Sequence, residues 1–409
     1  MASFLICVFL ALSSIAAGLN QMKGMVRKPL RPSSLKMAVY SSAKGVPAAL
    51  VEERDACGVG FIASLKNKPS HAVIQQALTA CDCMEHRGAT SADNVSGDGA
   101  GVLTAIPWKL FSDIIPDMSK TQKNKDGSDT VAAGMFFLPR EISYQTELMN
   151  MIQIIFEKKH LKFMGWRDVP VDYSVLGLLS KDFAPAVKQI IVQSMDDKVC
   201  ETSKKFDQRL YDARREVQGK FRQLKCTDGY CCSLSTKTMV YKGMLRSCDL
   251  ARFFPDLANP LFETAFAVYH RRFSTNTIPK WFLAQPMRML AHNGEINTLL
   301  GNINWVKSRQ YAFRKSKKDL ICLIDDKDCE QAIAADVFTV RPDLIAKTVQ
   351  GPLVDVGRSD SANLDSVLDS YVRSGFSAEE ALMILVPEAY QSQVSVFTIH
   401  YIHYTHYTH

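Results

Sequence analysis

Apolar positions recur at helical spacing in several parts of the chain. Five such residues after Ser70, a residue type suited to the N-cap, fall on one helix face: Val73, Ile74, Ala77, Leu78 and Cys81. The same spacing runs from Leu364 to Tyr371, and Ser377 with Glu380 predicts a capping box that opens a further helix. Two longer helices are predicted, over residues 204–224 and 296–313.

Short apolar or alternating runs predict strands between these helices. A buried strand is expected at residues 57–63, and a glycine-rich turn at 97–101 leads into a strand at 102–106. A hairpin is predicted from residues 230–234 and 238–241 around a short turn. Further strands are predicted over residues 263–270 and 287–291. This mixed order of strands and helices predicts an α+β layered domain.

The first 56 residues have a pattern of their own. Residues 4–17 form an apolar run of signal-peptide length, too short to span a membrane comfortably. Residues 23–44 are basic, contain serine and lack acidic residues, as transit peptides do. We therefore predict a two-part targeting leader and propeptide over residues 1–56, with an ordinary secretory signal and linker as the alternative. No later apolar run approaches about 18 residues, which predicts no stable membrane association.

The last 19 residues are also atypical, because histidine recurs there every three residues at His400, His403, His406 and His409. A metal-binding tail is one interpretation. We favour a disordered or artefactual segment over residues 391–409, which leaves residues 57–390 as the body of the protein.

Charge and cysteine content argue against a nucleic-acid-binding protein and against a cysteine-rich metal site. The net charge is +7, but residues 1–50 hold six lysines and arginines and no acid. The body is therefore near neutral, which removes the electrostatic case for a nucleic-acid partner. The eleven cysteines contain no C-x-x-C pair. We predict no metal site and mostly reduced, partly buried thiols in a reducing compartment.

Four segments carry long and specific motifs. They read DACGVGF at 55–61, EHRG at 85–88 with GDGAG at 97–101, HRRFSTN at 270–276, and AHNGEIN at 291–297. Over roughly residues 55–390 the chain resembles the class II glutamine amidotransferases, and among them the plastid, ferredoxin-dependent glutamate synthases. The resemblance implies an α+β fold, the four-layer αββα sandwich of N-terminal nucleophile hydrolases, with residues 57–390 as one amidotransferase domain.

Cys57 is the candidate nucleophile. Amide hydrolysis needs a nucleophile, a base and a stabiliser for the oxyanion, and a thiol is partly ionised near neutral pH. If cleavage makes Cys57 the first residue, its own α-amino group, with a pKa of about 7.7–8 in model peptides, serves as the base. A chain that still carries Ala56 should therefore be inactive. The alternative interpretation is a small buried residue on a core strand.

The other site residues follow from the resemblance. Asn293 and Gly294 match the family's oxyanion hole, where losing one donor costs about 10²–10³ in rate. An Asn-Gly turn is the alternative, and both can hold together. In these two roles the side-chain amide of Asn293 and the backbone N–H of Gly294 would converge on the oxyanion.

Substrate recognition is assigned in the same way. Arg272 matches the arginine that binds the α-carboxylate of glutamine, for which its planar fork is suited. Arg271 should face the other side of its strand, and we expect it to be a surface salt-bridge residue. Thr275 would help position the substrate, and Asp360 would receive the α-ammonium or, alternatively, cap the following helix. Arg87 would order the start of the mature chain.

The resemblance also implies partners and cofactors. Cys57 would release ammonia from glutamine, which the longer family members pass to 2-oxoglutarate with electrons from ferredoxin. We expect no cofactor in this chain, and FMN and an iron–sulfur cluster in the missing C-terminal part of a full-length parent in the chloroplast stroma. The alternatives are another class II amidotransferase and a truncated, non-catalytic fragment.

Overall fold

The computed structural model describes residues 58–114, 130–195, 203–271, 280–292, 296, 299–314, 354 and 359–386. The chain divides into two compact units, Met1–Gly294 and Glu295–His409. The sheets described below belong to the first unit, and three helices belong to the second.

The first unit contains two four-stranded antiparallel sheets. Their strands are β1 (Gly58–Ala63), β2 (Ala100–Ala105), β3 (Val131–Leu138), β4 (Leu161–Asp168), β5 (Ala186–Ser194), β6 (Tyr230–Ser235), β7 (Thr238–Gly243) and β8 (Phe266–Arg271). The first sheet has the order β1-β8-β2-β7, and the second has the order β4-β5-β3-β6. Strand β1 is therefore an edge strand, whereas β8 is paired on both sides.

The α-helices of the first unit are α1 (His71–Asp82), α2 (Ile142–Lys158), α3 (Leu178–Asp182), α4 (Ser203–Gln223) and α5 (Leu250–Phe253). Short 3₁₀ turns lie at Glu85–Arg87, Trp108–Phe111, Tyr173–Val175, Ser247–Asp249, Pro255–Ala258 and Trp281–Leu283. Helix α2 begins where the Glu141 side chain accepts from the backbone N–H groups of Ser143 and Tyr144. A carboxylate in this place satisfies donors that a helix start leaves open.

The main core lies between the facing sheets. Val102 and Tyr241 of the first sheet join Val131 and Phe137 of the second in one buried cluster. Every residue of β3 is buried, since this strand has a neighbour on each side and apolar groups against both faces. Burying such side chains is the main favourable contribution to folding.

Helices cover the outer face of the second sheet. Helices α2 and α4 contact each other, and α2 also contacts β4 whereas α4 contacts β6. Their apolar residues form a second buried cluster with strand residues such as Phe136 and Ile190. Helix α1 instead contacts β1 and β8 of the first sheet. The other face of the first sheet carries a small cluster of Leu103, Val240 and Val268, on which Ala291 packs.

Polar side chains also join the two sheets. Arg167 of β4 forms a two-pronged ion pair with Asp256, with both N–O distances at 2.7 Å. The hydroxyl of Tyr241, on β7, donates to the same carboxylate at 3.0 Å and accepts from Gln189 of β5 at 2.8 Å. Asp256 is 2% exposed. A network that spans both sheets and is fully satisfied fixes their relative position.

The second unit is helical in its described part. It contains α6 (Leu299–Arg314), α7 (Asp360–Arg373) and α8 (Ala378–Leu385), and α7 contacts both others. The side-chain amide of Asn302 donates to the Leu385 carbonyl at 2.7 Å. Leu364, Val367, Leu368 and Tyr371 are buried, as their spacing predicts. The capping box of Ser377 and Glu380 is present with both of its hydrogen bonds.

Three predictions about local structure are wrong. Residues 230–241 do not form a hairpin, because β6 pairs with β3 in one sheet and β7 pairs with β2 in the other. Residues 287–291 form no strand; the Met287 N–H donates to the Leu290 carbonyl across a turn. Strand β1 is only partly buried, and Phe61 is 58% exposed.

Candidate active site

The described residues next to the candidate nucleophile lie at the end of the first sheet. Strand β1 begins at Gly58, which pairs with Arg271 of β8, and Arg271 also pairs with Ala100 of β2. A Cβ atom on Gly58 would lie 2.8 Å from the sulfur of Met84. The start of β1 is therefore held by β8 along one edge and by the chain after α1 on one face.

Arg271 is buried rather than exposed. Its side chain is 1% exposed and its Nη1 lies 3.0 Å from Oδ1 of Asp98, whose side chain is 12% exposed. The same nitrogen lies within 3.5 Å of the carbonyl oxygens of Gly99 and Leu245. The expectation of a surface salt bridge is wrong, because the chain at residues 88–99 and 245 covers this face of β8.

Residues 88–99, which we call the Asp98 loop, fold tightly against Arg271. The second carboxylate oxygen of Asp98 accepts from the Ala89 N–H at 3.1 Å, and Thr90 forms a β-bridge with Gly97. A Cβ atom on Gly88 would lie 2.0 Å from Cζ of Arg271. Only glycine allows such a close approach of the backbone to the guanidinium.

Arg87 immediately precedes this loop. It ends the 3₁₀ turn Glu85–Arg87, its backbone N–H donates to the Met84 carbonyl at 2.8 Å, and it is partly buried. Arg87 therefore directly precedes Gly88 and is hydrogen-bonded to Met84, the residue that packs against Gly58.

Two buried histidines link β8 to the segment that precedes Asn293. The Nε2–H of His270 donates to the His292 carbonyl oxygen at 3.0 Å. The side-chain amide of Gln285 accepts from the His292 N–H at 3.1 Å and donates to its carbonyl at 3.4 Å. His270 is fully buried and His292 is 3% exposed. These contacts hold both histidines in place in the protein interior.

A second thiol lies close to this region but is unsuited to attack. Cys81 of α1 is fully buried and its S–H donates to the His270 carbonyl at 3.8 Å. Burial raises the pKa of the Cys81 thiol to about 12, although the nearby charge of Arg271 opposes the shift. A thiol that stays protonated at neutral pH is a poor nucleophile.

Asp360 lies in the second unit. It is the first residue of α7, it is partly buried, and its Oδ1 accepts from the Ser361 N–H at 2.8 Å. The N-cap is Ser359, whose hydroxyl accepts from the Ala362 N–H at 3.3 Å. The alternative role of Asp360 as the helix cap is therefore wrong.

The remaining predicted site residues lie outside the described residues: Cys57, Arg272, Thr275, Asn293 and Gly294. Asp98, Gly88 and Gln285 had not been singled out as functional residues from the sequence. The glycine-rich run 97–101 was the available signal, since glycines around one acid indicate a close backbone approach.

The described residues show neither a metal-ligand cluster nor a membrane-spanning helix. Nowhere in that part of the chain do three or more His, Cys, Asp or Glu residues cluster as metal ligands would. Among the helices described, none combines the length and apolar character needed to cross a bilayer.

Two facing antiparallel sheets, helices on the outer face of the second sheet, and an edge strand that starts directly after a cysteine define an α+β sandwich of the N-terminal nucleophile hydrolase type. The chain belongs to the class II glutamine amidotransferase family, described as "Glutamine amidotransferases class-II", whose profile matches residues 57–327 and 330–409.

Its relatives include ferredoxin-dependent glutamate synthases. Ferredoxin-dependent glutamate synthase 2 of Synechocystis sp. is 47% identical over 344 residues, which is 84% of this chain and 20% of the relative. The enzyme of Antithamnion sp. is 43% identical and matches 86% of this chain and 21% of its own length. The chloroplastic enzyme 2 of Arabidopsis thaliana is 43% identical, with 84% and 19% covered. The chain thus spans about a fifth of the length of these relatives.

Proposed function

We propose that this chain hydrolyses glutamine to glutamate and ammonia, with Cys57 as its nucleophile. The observation that carries the proposal is that three described residues, Gly58, Arg271 and His292, are joined through strand β8. Each of them is covalently bonded to a predicted site residue. Gly58 is bonded to Cys57 and pairs with Arg271, which is bonded to Arg272. Consecutive Cα atoms are about 3.8 Å apart. The proposed nucleophile and the proposed carboxylate-binding arginine are therefore each covalently bonded to one member of the same β-ladder pair, which supports the proposal.

A hydrogen bond next to the proposed oxyanion-hole residues supports the proposal further. His292 is bonded to Asn293, and its carbonyl accepts from His270, which is two residues from Arg272. All of these anchors belong to the first unit. The chemistry of the proposed site thus rests on neighbouring residues of β1, β8 and the segment 280–292.

In the proposed reaction the α-amino group of Cys57 takes the thiol proton and the sulfur attacks the side-chain amide carbon of glutamine. The side-chain N–H of Asn293 and the backbone N–H of Gly294 stabilise the oxyanion. The C–N bond then breaks, the proton goes to the leaving nitrogen, and ammonia departs from a glutamyl thioester. Water hydrolyses the thioester, which releases glutamate and restores the thiol.

Substrate selection is proposed for the remaining residues. Arg272 binds the α-carboxylate with two parallel hydrogen bonds, Asp360 receives the α-ammonium, and Thr275 positions the substrate. Arg87 orders the start of the mature chain, and its place before Gly88 supports that role. We further propose residues 57–390 as the amidotransferase domain, with residues 391–409 outside it, although the family profile extends its match to residue 409.

The decisive experiment exposes Cys57 on demand. The full chain is prepared with a site-specific protease sequence directly before Cys57, and ammonia release from glutamine is measured before and after cleavage. We expect no activity before cleavage, because the α-amino group is then an amide, and activity after it. Cleaved Cys57→Ser should fall to background, whereas Cys83→Ser, which alters an exposed thiol, should keep full activity. An uncleaved chain as active as the cleaved one would refute the role of the free amine.

We also propose that the chain is the front part of a ferredoxin-dependent glutamate synthase. In this proposal the longer protein transfers the ammonia to 2-oxoglutarate, and its other domains carry FMN and an iron–sulfur cluster. The identity to relatives of that name supports it. Glutamate formation from 2-oxoglutarate by the intact longer protein, with reduced ferredoxin as donor, is the test; ammonia transfer to a different acceptor would contradict it.

A plastid location is proposed from the leader and from the chloroplastic relative in Arabidopsis thaliana. Residues 1–56 fused to a fluorescent protein should direct it into the plastid of an alga that uses two-part leaders. Removing residues 4–17 from the fusion should leave it in the cytosol, because the apolar run is the first of the two signals. Secretion of the intact fusion would instead support the ordinary signal peptide.

A further inference from the structure

We infer that Arg271 and Asp98 form a positioning pair for glutamine hydrolysis. Neither residue is assigned a contact with substrate; the pair acts by holding the start of β1 and the Asp98 loop in register. The inference rests on the proposed function, because it concerns the geometry of the nucleophile.

The contacts of one guanidinium join three separate parts of the chain. Arg271 lies on β8, its Nη1 meets Asp98 and Gly99 in the Asp98 loop, and the same nitrogen meets Leu245 beyond β7. Asp98 and Arg271 are 173 positions apart in sequence. Because the planar guanidinium presents its donors in a fixed fork, it sets distances and directions among the groups it meets.

The position of the pair places this junction beside Gly58, the residue that follows the proposed nucleophile in sequence. The backbone of Arg271 pairs with Gly58, which is bonded to Cys57. Its side chain fills the space against Gly88, which is bonded to Arg87. A shift of the guanidinium is therefore expected to move the Asp98 loop, which follows Arg87 directly, and to alter the support of Gly58 at the start of β1.

Burial makes the pair sensitive to the loss of either partner. Arg271 is 1% exposed and Asp98 is 12% exposed, so an isolated charge left there is poorly solvated. Removing both charges avoids that penalty, and buried ion pairs replaced by uncharged groups of similar volume often retain stability. This difference separates an effect on folding from an effect on catalytic geometry.

The test compares Asp98→Asn with the double variant Arg271→Met/Asp98→Asn in the cleaved full chain. The asparagine introduced by Asp98→Asn keeps an oxygen for the Ala89 N–H, and methionine fills much of the arginine volume. Melting temperature, fraction folded, kcat and KM for glutamine are measured for each. The control is Lys188→Met/Asp168→Asn, which removes an ion pair of the second sheet whose acid is 79% exposed.

We expect Asp98→Asn to lower the melting temperature and the double variant to recover most of that loss. The double variant should nevertheless show kcat at least tenfold below wild type per folded molecule, because misplacing a reacting group by about 1 Å can cost 10²-fold in rate. Its KM should stay within about threefold, since the contacts proposed for Arg272 and Asp360 are retained. The control should match wild type in both constants.

Any other outcome contradicts either the positioning role of the pair or the proposed function. A double variant that recovers kcat together with stability would show that the pair is only structural and would overturn the inference while the proposed function stands. A rise in KM without a fall in kcat would overturn it too, because substrate binding would then be the step affected. A cleaved wild-type chain without glutaminase activity would overturn the proposed function, and the inference with it.

Discussion

At the scale of single residues, the described cysteines differ in the chemistry that their surroundings allow. Cys81 and Cys83 stand two positions apart, yet Cys81 is fully buried and Cys83 is exposed. Burial raises the pKa of Cys81, and equally that of Cys232 on β6, to about 12. The ordinary value for a thiol is about 8.5. Burial therefore separates Cys81 and Cys232, whose thiols stay protonated at neutral pH, from the exposed Cys83.

Alkylation should follow this division. At about pH 8 in the folded chain, we expect iodoacetamide to label Cys83 quickly and to leave Cys81 and Cys232 unlabelled, because their thiolate forms are populated only near pH 12. Peptide mass spectrometry measures the modified fraction at each site. All three should react alike in concentrated guanidinium chloride, and labelling of Cys81 as fast as Cys83 in the folded chain would contradict the burial described here.

For Arg271, the sequence pattern predicted the strand but not the burial of the side chain. Strand alternation gives the face to which a side chain points, but not what covers that face. The cover of Arg271 comes from the Asp98 loop, whose acid is 173 positions away. Neither the ion pair nor its burial could be inferred from neighbouring residues, and the hypothesis of a surface salt bridge failed for that reason.

At the scale of elements, predictions held where the deciding contacts are local. The helix of residues 71–82, the helix that begins after Ser377 and the long helix α4 were all predicted from spacing or caps within one element. Ser70 does occupy the N-cap of α1, but its side chain makes no capping hydrogen bond, and its backbone instead bridges to Thr264.

Strand partners were harder to predict, because they are set by distant segments. Strands β6 and β7 are separated by a two-residue connection, which is the usual sign of a hairpin. Yet β6 pairs with β3 in the second sheet, and β7 pairs with β2 in the first. The Ser235 hydroxyl accepts from the N–H groups of Lys237 and Thr238, which stabilises the connection where the chain changes sheets. The site was predicted through its motifs, and five of its seven residues lie outside the described residues.

At the scale of the whole first unit, Asp256 links the two sheets through hydrogen bonds, in addition to the apolar core between them. It accepts from Arg167 on the second sheet and from Tyr241 on the first. Burial, and then the charge of Asp256, raise the pKa of Tyr241 well above its usual value. The Tyr241 hydroxyl therefore remains a donor throughout the neutral range.

Removing the charge of Asp256 should weaken the joint between the sheets. We expect Asp256→Ala to lower the free energy of unfolding by about 3 kcal/mol, because it leaves the mostly buried guanidinium of Arg167 without its carboxylate partner. Urea denaturation measures the change. Asp168→Asn, which alters an exposed acid on the same strand as Arg167, should change stability by less than about 1 kcal/mol. Equal effects of the two substitutions would argue against a role of Asp256 between the sheets.

The place of β1 at the edge of its sheet bears on the order of events in maturation. All six residue pairs between β1 and β8 lie at or after Gly58, so cutting the chain ahead of Cys57 removes none of them. If the chain matures as proposed, it can complete this sheet while residues 1–56 are still attached, and the cut that frees the α-amino group needs no refolding afterwards. The proposed cleavage, rather than folding, would then set when glutamine is first consumed.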